Sequence, residues 1–230
     1  MRKLTVLIRI ITLSAAFISC SSLRHIGYEN GHKYVDLGLS VKWATTNIGA
    51  KKPQESGDSY AWGETEPKSV YSWHTYKFRE DGDTDQDIIF SKYVTDAEYG
   101  QVDGKTTLEP EDDVASVRWG GSWRMPTASE LDELMADYNC TWTYKTRKGV
   151  IGYKIKSKKK GYKRRSIFLP IVKQQFVLDL DDAIDEGIYW SSSLFENTDA
   201  WMIFLLPDAY SDGANLRCVG LPVRPVTTAF

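Results

Sequence analysis

The chain has 230 residues, 42% of them hydrophobic and 13% aromatic, with 8 Trp and 13 Tyr. That is enough apolar material for one packed domain, and rigid aromatics at this density favour loop-rich folds and sites that stack on ligands. The formal net charge of −2 lacks the basic balance of a nucleic-acid binder, so no nucleic-acid partner is expected.

Arg2 and Lys3 open the chain, and the run from Val6 to Ile18 is mostly apolar but broken by Arg9. It is too short and too interrupted for a comfortable membrane span. Residues 1–19 read instead as a targeting segment. Phe17-Ile-Ser-Cys20 resembles a lipobox, which implies cleavage before Cys20 and lipidation of its sulfur and amine. The competing reading is an ordinary signal peptide with an incidental cysteine. Lipidation at Cys20 would make the membrane a partner and place the chain in the cell envelope, at the outer membrane foremost. Ser21-Ser-Leu-Arg24 lacks the acidic residues that accompany surface export, so the membrane face stays open. Losing residues 1–19 removes Arg2, Lys3 and Arg9 and no acids, which takes the charge from −2 to −5. Residues 20–30 read as a polar tether and residues 31–230 as the domain.

Tyr34–Leu37 and Val41–Thr45 alternate around Gly38-Leu-Ser40 and predict a β-hairpin. Tyr60–Glu64 and Tyr71–Trp73 add aromatics on short extended pieces. Residues 79–87 carry five acids, but not in the order of a calcium loop, so a solvated acidic loop is expected. Glu109–Val117 predicts a short helix with Pro110 in its first turn. Thr127 and Glu130 form a T-x-x-E capping box, followed by Leu131, Leu134 and Met135 at i, i+3 and i+4. This predicts an amphipathic helix of about three turns. Gly120 and Gly121 between Trp119 and Trp123 predict a tight bend ahead of it, with Arg124 as a hydrogen-bonding hub.

Between Asn139 and Leu178 lie twelve Lys or Arg and no acids. Residues 152–157 and 165–169 read as strands of a hairpin turned by Lys158–Gly161. Its lysines fit either an anion-attracting patch or the wet face of an exposed edge. Asp179–Glu186 is an acidic answer to that patch. Tyr189–Ser193, Ala200–Leu205 and Leu221–Val226 are strand-like, separated by polar stretches expected as loops (195–199 and 207–217). Cys140 and Cys218 either pair as a disulfide or stay as two buried thiols. Neither has the spacing or the His neighbours of a metal site, and no metal or cofactor is expected.

Six motifs occur in order: Y-V-D-L-G-L-S-V-K-W-A-T (34–45), Y-A-W-G-E-T (60–65), W-G-G-S-W-R-M-P-T-x-x-E-L (119–131), I-F-L-P (167–170), Y-W-S-S-S (189–193) and V-R-P-V (223–226). Together they resemble the Fibrobacter succinogenes major paralogous domain, related to the Lcl C-terminal (DUF1566) family, over roughly residues 31–228. The third motif is also similar to the helix entry of formylglycine-generating enzymes. The resemblance implies an α+β, C-type-lectin-like fold: two short helices, a twisted antiparallel sheet, long loops, and N- and C-terminal strands brought together. The chain departs from the family pattern at Thr46, at Ile171-Val-Lys173 and at Gly220-Leu-Pro222.

In folds of that kind the loops around the last strands form the recognition face. Carried over, the resemblance implies a binding module for a glycan or a protein. Asn197, Asp199, Trp201, Asp208, Tyr210, Asp212, Asn215 and Arg217 are suited to reading hydroxyls and stacking on sugar faces. Each also has a plainer reading, Trp201 as core and Asp208 and Asp212 as turn residues. The calcium-dependent sugar-binding triplets of animal lectins are missing. Catalysis is not expected: His25, His32 and His74 fall in no triad or ligand spacing, and formylglycine-type chemistry needs two late cysteines where only Cys218 is late. A structural subunit of a surface appendage is the other alternative.

Overall fold

The computed structural model describes residues 26–80, 88–171 and 187–229. The targeting segment, Cys20, most of the acidic 79–87 stretch and Asp179–Glu186 lie outside the described residues. Among the described residues, two short α-helices and mostly antiparallel sheets make this an α+β fold, as expected.

The first sheet has five strands in the order β1 (Ile26–Glu29), β2 (His32–Val35), β3 (Lys42–Ala44), β13 (Val226–Thr227) and β6 (Trp123–Arg124). The hairpin expected at residues 34–45 is there, with Val35 opposite Trp43. The stretch assigned to the tether is not all tether, because Ile26–Glu29 pairs with β2. Asn30 and Gly31 make the connecting turn with φ of 43° and 82°. An Asn-Gly pair is the strongest short hairpin signal, because both central residues must sit at positive φ. It carries the domain boundary back to at least Ile26.

The C-terminal β13 lies between β3 and β6 and so joins the two ends of the domain. The strand expected at 221–226 is mostly not a strand. Its backbone changes partner at nearly every step: Leu221 bonds Tyr60, Pro222 accepts from Trp190, Val223 from Ile48 and Pro225 from Ala44. Pro222 and Pro225 have no N–H to give, so no continuous ladder can form there.

The described residues form three smaller sheets besides. β4 (Arg79–Glu80) pairs with β5 (Ile89–Phe90). β7 (Cys140–Arg147), β8 (Val150–Ser157) and β9 (Ser166–Pro170) form a meander. β10 (Gly187–Leu194), β11 (Asp199–Leu206) and β12 (Ala209–Leu216) form another. The expected 152–169 hairpin is β8–β9. The strand before it, β7, turns into β8 at Lys148-Gly149, again with both residues at positive φ.

The first helix, α1 (Val114–Trp119), starts later than expected. Asp113, not the region of Pro110, is its N-cap, accepting from the backbone of Ala115 and Ser116. The other oxygen of Asp113 accepts from Met125 N–H at 2.7 Å, so one carboxylate ties α1 to the end of β6. The second helix, α2 (Ala128–Met135), has the expected capping box but only 8 residues, about two turns. Thr127 Oγ1 accepts from Glu130 N–H at 3.3 Å, and Glu130 accepts from Thr127 N–H at 2.9 Å. Arg124 holds the same Glu130 with two nitrogens, at 2.7 and 2.5 Å, and donates to the Met125 carbonyl. It is the expected hub.

The Gly120-Gly121 bend docks on the β1–β2 turn. Both glycines have positive φ, and a Cβ on Gly121 would meet Glu29 Oε1 at 2.4 Å. Trp123 Nε1 donates to the Glu29 carbonyl, and Asn30 donates to that of Trp119. His32 stacks on Trp119 at 3.9 Å and meets Trp123 edge-on. The core divides in two. One cluster gathers Trp62, Tyr76, Phe90, Trp123 and Trp190, and the other packs Leu131 and Leu134 of α2 against β8, β9 and β11. No helix among the described residues is long and apolar enough to cross a membrane.

Candidate functional site

The eight residues expected on one recognition face do not share one. The stretch 207–217 is not a loop: after a turn at Pro207-Asp208 it is β12, paired along its length with β11. Alternation therefore sends its side chains to two faces.

Arg217 is fully buried. Its Nε donates to the Tyr76 hydroxyl at 3.0 Å, one terminal nitrogen donates to the carbonyls of Tyr93 and Asn197, and the other to that of Lys92. The rings of Trp62, Tyr76, Phe90 and Tyr93 surround it at 4.4 to 5.9 Å. It is a strut of the first core cluster and cannot read a ligand. Asn197 is also buried, and its Oδ1 accepts from the backbones of Thr95 and Asp96. Asp199 accepts from Thr198 Oγ1 at 2.6 Å, and Asn215 Oδ1 from Leu216 N–H. Asp208 is exposed at the turn with a φ of 63°. Polar identity alone could not separate the two buried residues from the rest. The apolar Cys218-Val219 that follows was the available sign that the chain dives inward at Arg217.

Trp201 and Asp212 do come together, and Tyr210 lies on the same face. Trp201 lies opposite Ala214 and Asp212 opposite Ile203, which puts them on the face turned to α2. There, Trp201 and Asp212 line a cleft of about 50 Å³ with Ala128, Leu131, Asp132 and Met202. Asp132 was not among the expected residues. Its place on α2 follows from helical spacing, since Ala128 and Asp132 are four apart, but the strand it would face is not readable from sequence. Burial, and then the charge of Asp212, push the Asp132 carboxyl above its ordinary range. Phe195 meets Trp201 edge-to-face at 4.6 Å and is 44% exposed. Tyr210 is committed elsewhere on this face, stacked on Trp142 at 4.4 Å.

A second group of acids has a different role. Glu109, Glu111 and Asp112 lie close enough to share one ion. The Lys92 ammonium is already among them, 2.5 Å from Glu109, 2.5 Å from Asp112 and 3.4 Å from Glu111. The lysine takes the position a cation would take. Its hydrogen bond, then that of Lys105, pulls the Glu109 carboxyl down to about 2.

Cys140 and Cys218 are free, buried thiols, so the disulfide alternative gives way to the buried-thiol one. They belong to different core clusters, Cys218 to the first and Cys140 to the second. Burial pushes the Cys140 thiol up to about 11 and the Cys218 thiol up to about 12, the opposite of nucleophile activation. Comparison with protein-family models, with curated proteins and with solved structures returns no significant match to this chain.

Proposed function

We propose that the chain is a non-catalytic, lipid-anchored envelope protein with a C-type-lectin-like fold, and that it binds a glycan at the face shared by α2, β11 and β12. The observation that carries the reading is that Trp201 and two carboxylates, Asp132 and Asp212, line one cleft, with the exposed Phe195 packed edge-on against Trp201. A sugar ring offers an apolar C–H face to an aromatic and hydroxyls to carboxylates. At about 50 Å³ the cleft holds one or two waters, so it receives a ring substituent while the sugar lies over Trp201 and Phe195.

The fold assignment is supported by the two short helices, the bend at Gly120-Gly121 and the joining of the chain ends through β13. The non-catalytic reading is supported by the two separated, unactivated thiols. The anchor is supported by Phe17-Ile-Ser-Cys20. One observation favours an appendage subunit instead: among the described residues β1 is an edge strand with Ile26 49% and Tyr28 62% exposed, a surface to which another strand could add. Glycan-array screening of the purified chain separates the two. Enrichment of a glycan class supports the module. Concentration-dependent self-assembly with no enriched glycan supports the subunit.

A further inference from the structure

A larger cleft, about 420 Å³, opens between the β1–β2 turn, the loop after β3 and strands β7 and β9. Lys33, Lys51 and Arg147 line it, with Thr45 and Thr46, and among the described residues no Asp or Glu does. An adjoining cleft of about 300 Å³ shares Arg147, Ile167 and Phe168 with it and adds Lys145 and Lys154, again without an acid among the described residues. Five cations thus share one groove. Charges this close repel, and surface lysines are normally interspersed with acids.

A buried charge lies behind the groove. Arg224 is 1% exposed. Its Nε donates to Asn47 Oδ1 at 2.8 Å and one terminal nitrogen donates to the Ala44 carbonyl at 3.2 Å, so it grips the two residues that flank Thr45-Thr46. Among the described residues its other terminal nitrogen has no hydrogen-bond partner, and no carboxylate accepts from it. Burial is the main cause, offset in part by Tyr189, of a drop in the Arg224 guanidinium to about 10, and the charge of Arg147 adds to that drop. The positive field of the groove therefore comes from within the domain as well as from its rim.

We propose that this groove binds a phosphate group, held by Lys33, Lys51 and Arg147 with Thr45 and Thr46 as hydroxyl donors. The chemistry could come from a free phosphate ester or from a phospholipid head group. Placement favours the second, and that preference alone rests on the lipid-anchor reading. Ile26, on the cleft lining, is six residues after Cys20, at most about 20 Å of extended chain. The exposed Ile26 and Tyr28 lie on the same strand, an apolar fringe suited to a bilayer surface.

The test uses the full chain purified in a neutral detergent, titrated calorimetrically at low salt with inorganic phosphate, with glycerol phosphate, and with micelles carrying phosphatidylglycerol or phosphatidylcholine. Saturable phosphate binding is expected, weakened at least tenfold in the Lys33→Gln/Arg147→Gln double variant. The variant Lys160→Gln/Lys163→Gln removes the same charge from the β8–β9 connection, which lines neither cleft, and is expected to bind as the parent does. Tighter binding to phosphatidylglycerol micelles than to glycerol phosphate assigns the head group as source, and equal binding assigns the free ester. No phosphate binding by the parent chain, or equal loss in both double variants, overturns the proposal. Should the first variant fold poorly, amide shifts in the parent chain decide: changes centred on Lys33, Thr45, Thr46 and Arg147 support the site, and changes spread over all lysines overturn it. None of these readouts depends on glycan binding at Trp201.

Discussion

The Arg217 guanidinium lies 4.4 Å from the centre of the Phe90 ring and is sealed from solvent by it. A residue of the expected recognition face is thus a core strut that organises Tyr76, Tyr93 and Asn197. Replacing it with alanine strands the carbonyls of Lys92, Tyr93 and Asn197, each worth roughly 1–3 kcal/mol when buried without a partner. Arg217→Ala is expected to lose about 4 kcal/mol in urea unfolding. Arg217→Lys should lose about 2 kcal/mol, since one ammonium cannot reproduce the planar fork. A loss under about 1 kcal/mol in the alanine variant would return Arg217 to the surface.

Asp113 caps α1 and holds Met125 N–H with one buried carboxylate. Asp113→Ala removes both and should cost about 2–3 kcal/mol, while Asp113→Asn keeps one acceptor and should cost less. Burial pushes this carboxyl up from 3.8 to about 6. Between those values the folded chain binds a proton that the unfolded chain has released. The contribution of Asp113 to stability therefore falls as pH rises from about 4 to about 6. The difference between parent and Asp113→Asn unfolding curves, taken across that range, measures it.

His32 has the opposite sign. Burial lowers its imidazole below 6.5, beneath Trp119. Below pH 6.5 the unfolded chain takes up a proton that the folded chain refuses, so this contribution is lost as pH falls from 6.5 through the folded value. His32→Gln should flatten that part of the pH–stability profile, and an imidazole titration followed by NMR should show a midpoint below 6.5.

The two thiols give a chemical readout. Held protonated by burial, Cys140 and Cys218 should resist alkylation at pH 8 in the native chain and react at once in denaturant. The intact mass without reductant should show no Cys140–Cys218 bridge.

Local devices were legible in the sequence because their parts lie within a few residues of one another. The Thr127–Glu130 box, the double-glycine bend, the Arg124 hub and the 34–45 hairpin all stand in the structure as expected. The Asn30-Gly31 and Lys148-Gly149 turns carried an equally local signal that composition around them masked, Asn30-Gly31 within a polar tether and Lys148-Gly149 within a lysine-rich run. What stayed hidden depended on partners far along the chain. Asn197 and Arg217 share the chemistry of sugar-binding residues, and only the distant Thr95, Tyr76 and Phe90 make them structural. Asp132 joins Asp212 across eighty residues for the same reason. Arg224 lies in the V-R-P-V motif, yet its burial against the Ala44 carbonyl and Asn47 shows only once those distant residues are in place.

The Asp132–Asp212 pair gives a prediction at the proposed glycan face itself. Asp212→Asn removes the second charge, so the Asp132 carboxyl should move down toward its ordinary range, leaving only the burial component. Because a raised carboxyl costs stability as pH rises through its folded value, the variant should also be less destabilised by that rise. Carboxyl-carbon NMR titration of parent and variant measures the shift, and an unchanged Asp132 would mean that the two groups do not share the cleft.

The most direct measurement of glycan recognition is the affinity of parent chain and Trp201→Ala for the glycan class that the array enriches, with Phe195→Ala as the more exposed companion. The proposed face predicts at least a tenfold loss in each, with thermal unfolding of Phe195→Ala within a few degrees of the parent. Full binding in both variants, or no enriched glycan at all, would contradict it.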